Sequence, residues 1–245
     1  MRSYGYIKDG VDKRDLSLPK VSRAISLPKS VDLRPKMPPV YDQGQLGSCT
    51  ANAIGAAFHF DELLEGLSPT TPSRLFIYYN ERAIEGTINQ DAGALIRDGA
   101  KVVNKLGVCP EASWPYIEAK FAIKPNPSCY VDGLKHQATI YQRVVQTESD
   151  LQGCLATGFP FVFGFDVYPY FESEAMAKDG VLKMPKKGET SVGGHAVLCV
   201  GYNAKYFIVR NSWGNTWGVG GYFYMPYAYM LSKMVSDIWT FRKVS

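Results

Sequence analysis

Apolar positions change their spacing about midway along the 245-residue chain. In the first half they recur every three or four residues. Between Ser48 and Gly66, the side chains of Ala53, Ile54, Ala57, Phe58 and Leu64 share one helical face. Ser48 is a residue type that caps a first turn, and Gly66 is a natural stop. Thr71 to Ile84, carrying Leu75, Phe76, Tyr78 and Tyr79, reads as a second helix. Gly93 to Leu106, closed by Gly107, reads as a third. From Lys135 onward, short runs rich in Val, Phe, Tyr and Ile alternate with turns: Ala138–Val145, Phe161–Phe165, His195–Tyr202, Tyr206–Arg210 and Gly221–Met225. Such runs are strand-like. Helices first and strands afterwards form the α+β pattern. A helical lobe of about 40–134 and a β lobe of about 135–245 are therefore expected, with a groove between them. Ahead of both, residues 1–26 show little periodicity and read as an extended leader, with Gly5, Gly10, Pro19 and a charged stretch from Asp9 to Asp15. Pro28, Pro35, Pro38 and Pro39 then punctuate an irregular segment up to Tyr41.

Composition narrows the classes. Apolar residues make up 46% and charged residues 20%, which fits a folded globular chain and not a disordered one. The net charge of +4 is spread out, with Lys186-Lys187 the longest basic cluster, so no dedicated nucleic-acid surface is expected. No run reaches the ~18 consecutive apolar residues of a membrane helix. The N-terminus, MRSYGYIKDGVDKRDLSL, lacks the apolar core of a secretory signal. The five cysteines at 49, 109, 129, 154 and 199 are odd in number and show neither CxxC nor zinc-ligand spacing. Sparse cysteines in a chain this size point to a reducing compartment, with the cytoplasm as the expectation.

Three residues carry candidate chemistry. Cys49 follows QGQLGS at the expected first turn of a helix, where unsatisfied N–H groups and the helix dipole favour a thiolate. His195 enters an apolar strand in GGHAVLCVGY. Asn211 opens NSWGNTWGVGGYFY after the run YFIVR. A short turn around Tyr202–Lys205 would make the two strands antiparallel neighbours and bring Asn211 back beside His195. An Asn carbonyl accepting from one imidazole nitrogen leaves the other for a thiol, and Trp213 is placed to cover that bond. Taken singly, each has a plain structural explanation: a small buried residue, a strand-end histidine, a turn. His59 lies nearly three helical turns from Cys49, and His136 has no comparable setting.

Together, QGQLGSC, GGHAVLCVGY and NSWGNTWGVGGY resemble papain and the cathepsins, in the family's order, from about Leu27 to the C-terminus. The resemblance implies a papain-like two-lobe fold with the active-site cleft between a helical N-terminal and a β-rich C-terminal lobe. It implies a cysteine endopeptidase acting on peptide or protein substrates through a thioester, with no metal or organic cofactor. Residue by residue, Cys49 matches the nucleophile and His195 the general base and later acid. Asn211 matches the residue that orients the imidazole. Gln43 matches the oxyanion-hole side chain, partnered by the backbone N–H of Cys49. Trp213 and Trp217 match tryptophans lining the cleft near the Asn and the leaving-group side. Gly164, Gly193 and Gly194 fall where relatives wall the pocket for the residue second from the scissile bond, which implies a roomy apolar pocket here. Gly93, in QDAGA, resembles the glycine stretch whose backbone pairs with extended substrates.

The chain also departs from the family. Leu46 stands where most relatives carry a disulfide cysteine, and Thr50 where they carry Trp. The run CTANA resembles a bacterial- or viral-type branch. Relatives are usually made with a helical prosegment near a hundred residues long, whereas about 26 residues precede the domain here. They are expected to form a short inhibitory strap over the cleft, or else a plain leader. Two rival functions remain: a catalytically silent papain-like binding or structural protein, and an exopeptidase or transpeptidase using the same site. Cys199 reads as a core residue, while Cys109 and Cys129 flank a Pro-rich loop and would pair only in an oxidising setting.

Overall fold

The computed structural model of the chain describes residues 3–20, 26–67 and 70–244, so residues 1–2 and 21–25 of the expected leader lie outside the described residues. The N-terminal part contributes two short strands, β1 (Tyr6–Ile7) and β2 (Val31–Asp32). The helical half holds α1 (Cys49–Leu64), α2 (Arg74–Glu85), β3 (Ala94–Leu95), α3 (Ile96–Lys105) and α4 (Pro127–Gly133). The second half holds β4 (Ala138–Arg143), α5 (Glu148–Ala156), β5 (Phe161–Val167), α6 (Glu174–Asp179), β6 (Gly193–Tyr202), β7 (Tyr206–Arg210), β8 (Tyr222–Pro226), α7 (Tyr227–Met230) and β9 (Val235–Val244).

The expected α+β architecture is present. Helix α1 is buried on nearly every face, from Cys49 to Glu62, and packs on both α2 and strand β6. Its small residues Ala51, Ala53, Gly55, Ala56 and Ala57 permit that close approach from several sides. Ser48 does not cap it through its side chain. Its hydroxyl is instead engaged with Tyr116 Oη at 2.6 Å and Asn52 Nδ2 at 3.0 Å. Helix α2 is capped by Ser73, which accepts from the Phe76 N–H, and starts three residues later than its apolar pattern indicates. Helix α3 starts at Ile96, so Gly93 stands outside it in left-handed backbone at φ 77°.

Six antiparallel strands run in the order β4-β9-β5-β6-β7-β8, with β2 added beside β6. The sheet contains two strands absent from the sequence pattern, the short β2 and the long β9. β9 pairs with both β4 and β5, but its alternation is interrupted at Ser236-Asp237, where Asp237 has φ 55°. Helices α5, α6 and α7 are short insertions in the β half, of nine, six and four residues. The β6–β7 pairing sets Leu198 opposite Arg210, and this hairpin carries His195 and Asn211 to the same end of the sheet.

Candidate active site

Cys49 is the first residue of α1 and is fully buried. The loop leading to it is held by hydrogen bonds. Both Asp91 carboxylate oxygens lie 3.0 Å from the Gly47 N–H. Asp91 also accepts from Tyr78 Oη, which in turn accepts from the Gly93 N–H at 3.2 Å. These bonds join the segment before Cys49 to the Gly93 loop across the region where Leu46 precludes a disulfide. Tyr116 donates to the Gln43 carbonyl at 2.7 Å, and Thr50 donates to the buried Glu81 at 2.9 Å. Asp91, Tyr78 and Tyr116 were not singled out from the sequence, although Asp91 sits two residues before Gly93 in the QDAGA run.

His195 faces this wall from β6. Its Nε2 is 2.8 Å from Asn211 Oδ1. The same oxygen accepts from the Ser212 N–H at 2.8 Å, which fixes the amide orientation and makes Nε2 the protonated nitrogen. Around the imidazole stand the rings of Trp213, Phe165 and Phe171, with centroids 5.1, 5.9 and 6.0 Å away. Trp217 packs edge-on against Trp213 and also contacts Phe171. This box shields the His195–Asn211 bond from water and strengthens it.

Gln43 completes the cluster. Ser212 Oγ donates to its Oε1 at 2.6 Å, which turns Nε2 toward the site. There it donates to the Leu46 carbonyl at 2.8 Å and, more weakly, to the Ser3 carbonyl at 3.4 Å. Ser212 was not among the expected residues, although it lies within the NSW motif.

The N-terminal segment crosses this site. The Tyr4 ring lies edge-on to His195 at 5.8 Å and 6.2 Å from Trp213. Gly5 sits so close to Gly47 that a Cβ on it would lie 1.6 Å from the Gly47 carbonyl oxygen. The Gly5 carbonyl accepts from the Ala94 N–H at 2.7 Å, and β1 pairs in parallel with β3. Gly93 is therefore beside an extended backbone, and a Cβ there would lie 2.1 Å from the Gly5 oxygen. Gly193 borders Tyr4, while Gly164 and Gly194 border Tyr6. The structure thus brings together every candidate site residue.

Two expectations need correction. The pocket walled by Gly164 and Gly194 is not wholly apolar, because Ser236 and Asp237 of β9 supply its polar end and bind Tyr6 Oη. Nothing in the local sequence marks these two residues, since a register shift between β5 and β9 brings them there. Second, burial pushes the Cys49 thiol up to about 11 from an ordinary 9.0, although N–H groups of Ala196, Gly5 and Thr50 act in the opposite direction. The helix start does favour the thiolate, but desolvation outweighs it.

A papain family cysteine protease model matches residues 27–237, and the chain belongs to that family. It is a cysteine peptidase. An uncharacterized peptidase C1-like protein of Acanthamoeba polyphaga mimivirus is 41% identical over 273 residues, spanning all of this chain and 88% of that protein. Cysteine proteinase 3 of Entamoeba histolytica is 31% identical over 80% of this chain, which spans 62% of the Entamoeba protein's length. Among solved structures, xylellain, a cysteine protease from Xylella fastidiosa, is 46% identical with a TM-score of 0.94, covering 100% of this chain and 97% of its own. Procathepsin B from Trypanosoma congolense shares the fold at a TM-score of 0.79 and 18% identity.

Proposed function

We propose that the chain is an endopeptidase held latent by its own N-terminal segment, with Cys49 as nucleophile and His195 as base. The observation that carries this reading is the 2.8 Å His195–Asn211 bond beside a Cys49 buried under Tyr4–Tyr6. Asn211 holds Nε2–H and leaves Nδ1 to take the thiol proton. The thiolate attacks the peptide carbonyl, and Gln43 Nε2 with the Cys49 N–H stabilises the developing oxyanion. His195 returns the proton to the leaving amine, giving a thioester. Water, deprotonated by His195, then hydrolyses it and the thiol is restored. Trp213 and Trp217 line the leaving-group side.

The polarity of the N-terminal segment supports latency. A substrate runs from the Gly164–Gly194 pocket toward Trp213. The segment runs the other way, with Tyr4 at Trp213 and Tyr6 at the pocket. Its carbonyls are thus not presented for attack in the substrate sense. Residues on both sides of Cys49 are accommodated in this extended path, which favours internal cleavage over trimming of chain ends. A reducing compartment fits the five free thiols.

The test is intact-mass analysis after treatment with an epoxide inhibitor of cysteine peptidases. The wild-type full chain is expected to label slowly. A full-length Gly5→Glu chain, whose new side chain cannot fit against Gly47, is expected to gain one adduct rapidly, and Cys49→Ala in that background none. Rapid labelling of the wild type would remove the latency. Absence of an adduct in Gly5→Glu would remove the peptidase assignment of Cys49.

A further inference from the structure

The end of the Tyr6 pocket is built with more detail than a hydrophobic slot requires. The ring of Tyr6 lies flat where two glycines lack side chains. A Cβ on Gly164 would stand 2.0 Å from Tyr6 Cζ, and one on Gly194 3.0 Å from Cδ1. At that depth the phenol oxygen reaches β9. Ser236 Oγ is 2.7 Å away, and Asp237 Oδ2 accepts the phenol proton. Ser236 is the cross-strand partner of Gly164, so the missing side chain and the polar group face each other by register.

Asp237 is fixed in place. Among the described residues it is the one non-glycine with positive φ, at 55°. Such a conformation is unfavourable and persists where surrounding contacts impose it. Arg143 Nη1 donates to Asp237 Oδ1 at 3.1 Å, and the Asp9 N–H donates to Oδ2 at 2.8 Å. Arg143 also binds Asp9 and Asp15 of the N-terminal segment. When that segment leaves, Arg143 remains with Asp237, and Oδ2 loses both Tyr6 and the Asp9 N–H. A ligand that then covers this oxygen without donating to it leaves it cut off from water and unpaired, which is costly.

We propose that this pocket selects a tyrosine side chain at the substrate residue second from the scissile bond on its N-terminal side. Ser236 and Asp237 are the specificity-determining residues. The proposal rests on the peptidase reading above. The substrate backbone runs opposite to the N-terminal segment, but the pocket receives the same ring. Phenylalanine would fill the slot and leave Oδ2 without a donor, a defect that discriminates strongly. Lysine would bring a second cation to a carboxylate already neutralised by Arg143, and its flexible stem does not match a flat slot between two glycines. Tyrosine supplies the plane, the length and a neutral donor.

The experiment uses the full-length Gly5→Glu chain and fluorogenic peptides that differ only at this position, with Tyr, Phe, Leu or Lys. The kcat/KM for Tyr is expected to exceed that for Phe roughly ten- to hundredfold. Asp237→Gly relieves the positive φ while removing the carboxylate, so it preserves folding. It is expected to bring the Tyr/Phe ratio close to one, chiefly through KM for the Tyr peptide. Asp237→Asn, which also tolerates this backbone, should restore part of the ratio. Equal turnover of Tyr and Phe, or preference for Lys, overturns the proposal and leaves the peptidase reading intact. No turnover of any peptide overturns the peptidase reading and the proposal with it.

Discussion

The two walls of the cleft are made of different materials. The Cys49 wall is polar and bonded largely through backbone groups. Asp91 holds Gly47, Tyr78 holds Gly93, Tyr116 holds the Gln43 carbonyl, and Glu81 holds Thr50. The His195 wall is aromatic. Phe165, Phe171, Trp213, Trp217 and Phe223 pack against one another, and the principal polar link there is His195 to Asn211. The proposed chemistry accounts for the division. An oxyanion hole needs backbone N–H groups aimed at fixed points, which loops pinned by hydrogen bonds supply. A base needs one nitrogen protonated and the other kept from competing water, which an apolar box supplies.

This contrast is open to measurement. The largest effect should come from the aromatic wall. Phe171 is 1% exposed and touches four other rings as well as His195. Phe171→Ala is expected to cost about 3–5 kcal/mol in denaturant unfolding. A loss below 1 kcal/mol would mean that the box can collapse and is not what rigidifies His195.

Asn211→Ala tests the principal polar link. In the Gly5→Glu background its kcat should fall roughly 10²-fold, with little change in melting temperature. An unchanged kcat would mean that the ring box alone orients the imidazole. On the polar wall, Tyr78→Phe leaves Asp91 and the Gly93 N–H each short of a partner. It is expected to lower stability by about 1–3 kcal/mol and, if the Gly93 loop holds substrate backbone as proposed, to raise KM more than it lowers kcat. A pure kcat effect would assign Tyr78 to the Cys49 side alone.

The smallest effect concerns the anchor of the N-terminal segment. Burial, and then the neighbouring Asp237 charge, lift Asp9 to about 6, although Trp239, Arg143 and Arg97 act the other way. Its carboxyl is therefore favoured in the protonated form when the segment is docked. This contribution to docking is fully present below the ordinary value near 3.8 and is lost as pH rises through about 6. Asp15 acts in the opposite sense. Burial raises it, but Arg97 and Arg143 together hold it below the usual carboxylate range, so its contribution is lost only under more acid conditions. The ratio of Cys49 alkylation rates, wild type over Asp9→Asn, should thus rise between pH 4 and about 6 and flatten above. Taking the ratio cancels the titration of the thiol itself. A flat ratio would remove Asp9 from the latch.

The legibility of the two walls differs as well. Cys49, His195, Asn211 and Gln43 lie in contiguous runs whose local geometry does the placing. One is a helix start, two are the ends of one hairpin, and one is a loop six residues from the helix. The edges of α1 and of β7 could be read within two residues, because apolar periodicity and Gly66 report on neighbours in the chain. Strand β9 could not be read, since its partners are β4 and β5, far away in sequence, and Asp237 breaks its alternation. Asp91 and Tyr78 are hidden for the same reason: the bond from the Gly47 N–H leaves no mark on Asp91, 44 positions later, nor the bond between Tyr78 and Asp91 on either of them.

The α+β order of elements, the residues able to do thiol chemistry, and the absence of a cysteine at position 46 are all legible in the chain alone. Each of these depends on residue type and on spacing along the chain. Tertiary structure alone decided the protonation and the occupancy of the site. The helix start favours a Cys49 thiolate wherever it is, but burial pushes the thiol up to about 11. The pocket glycines imply room, but only the β5–β9 register sets a carboxylate at its end. Desolvation and strand register both arise from groups brought together across long stretches of chain, so neither is written in any local pattern.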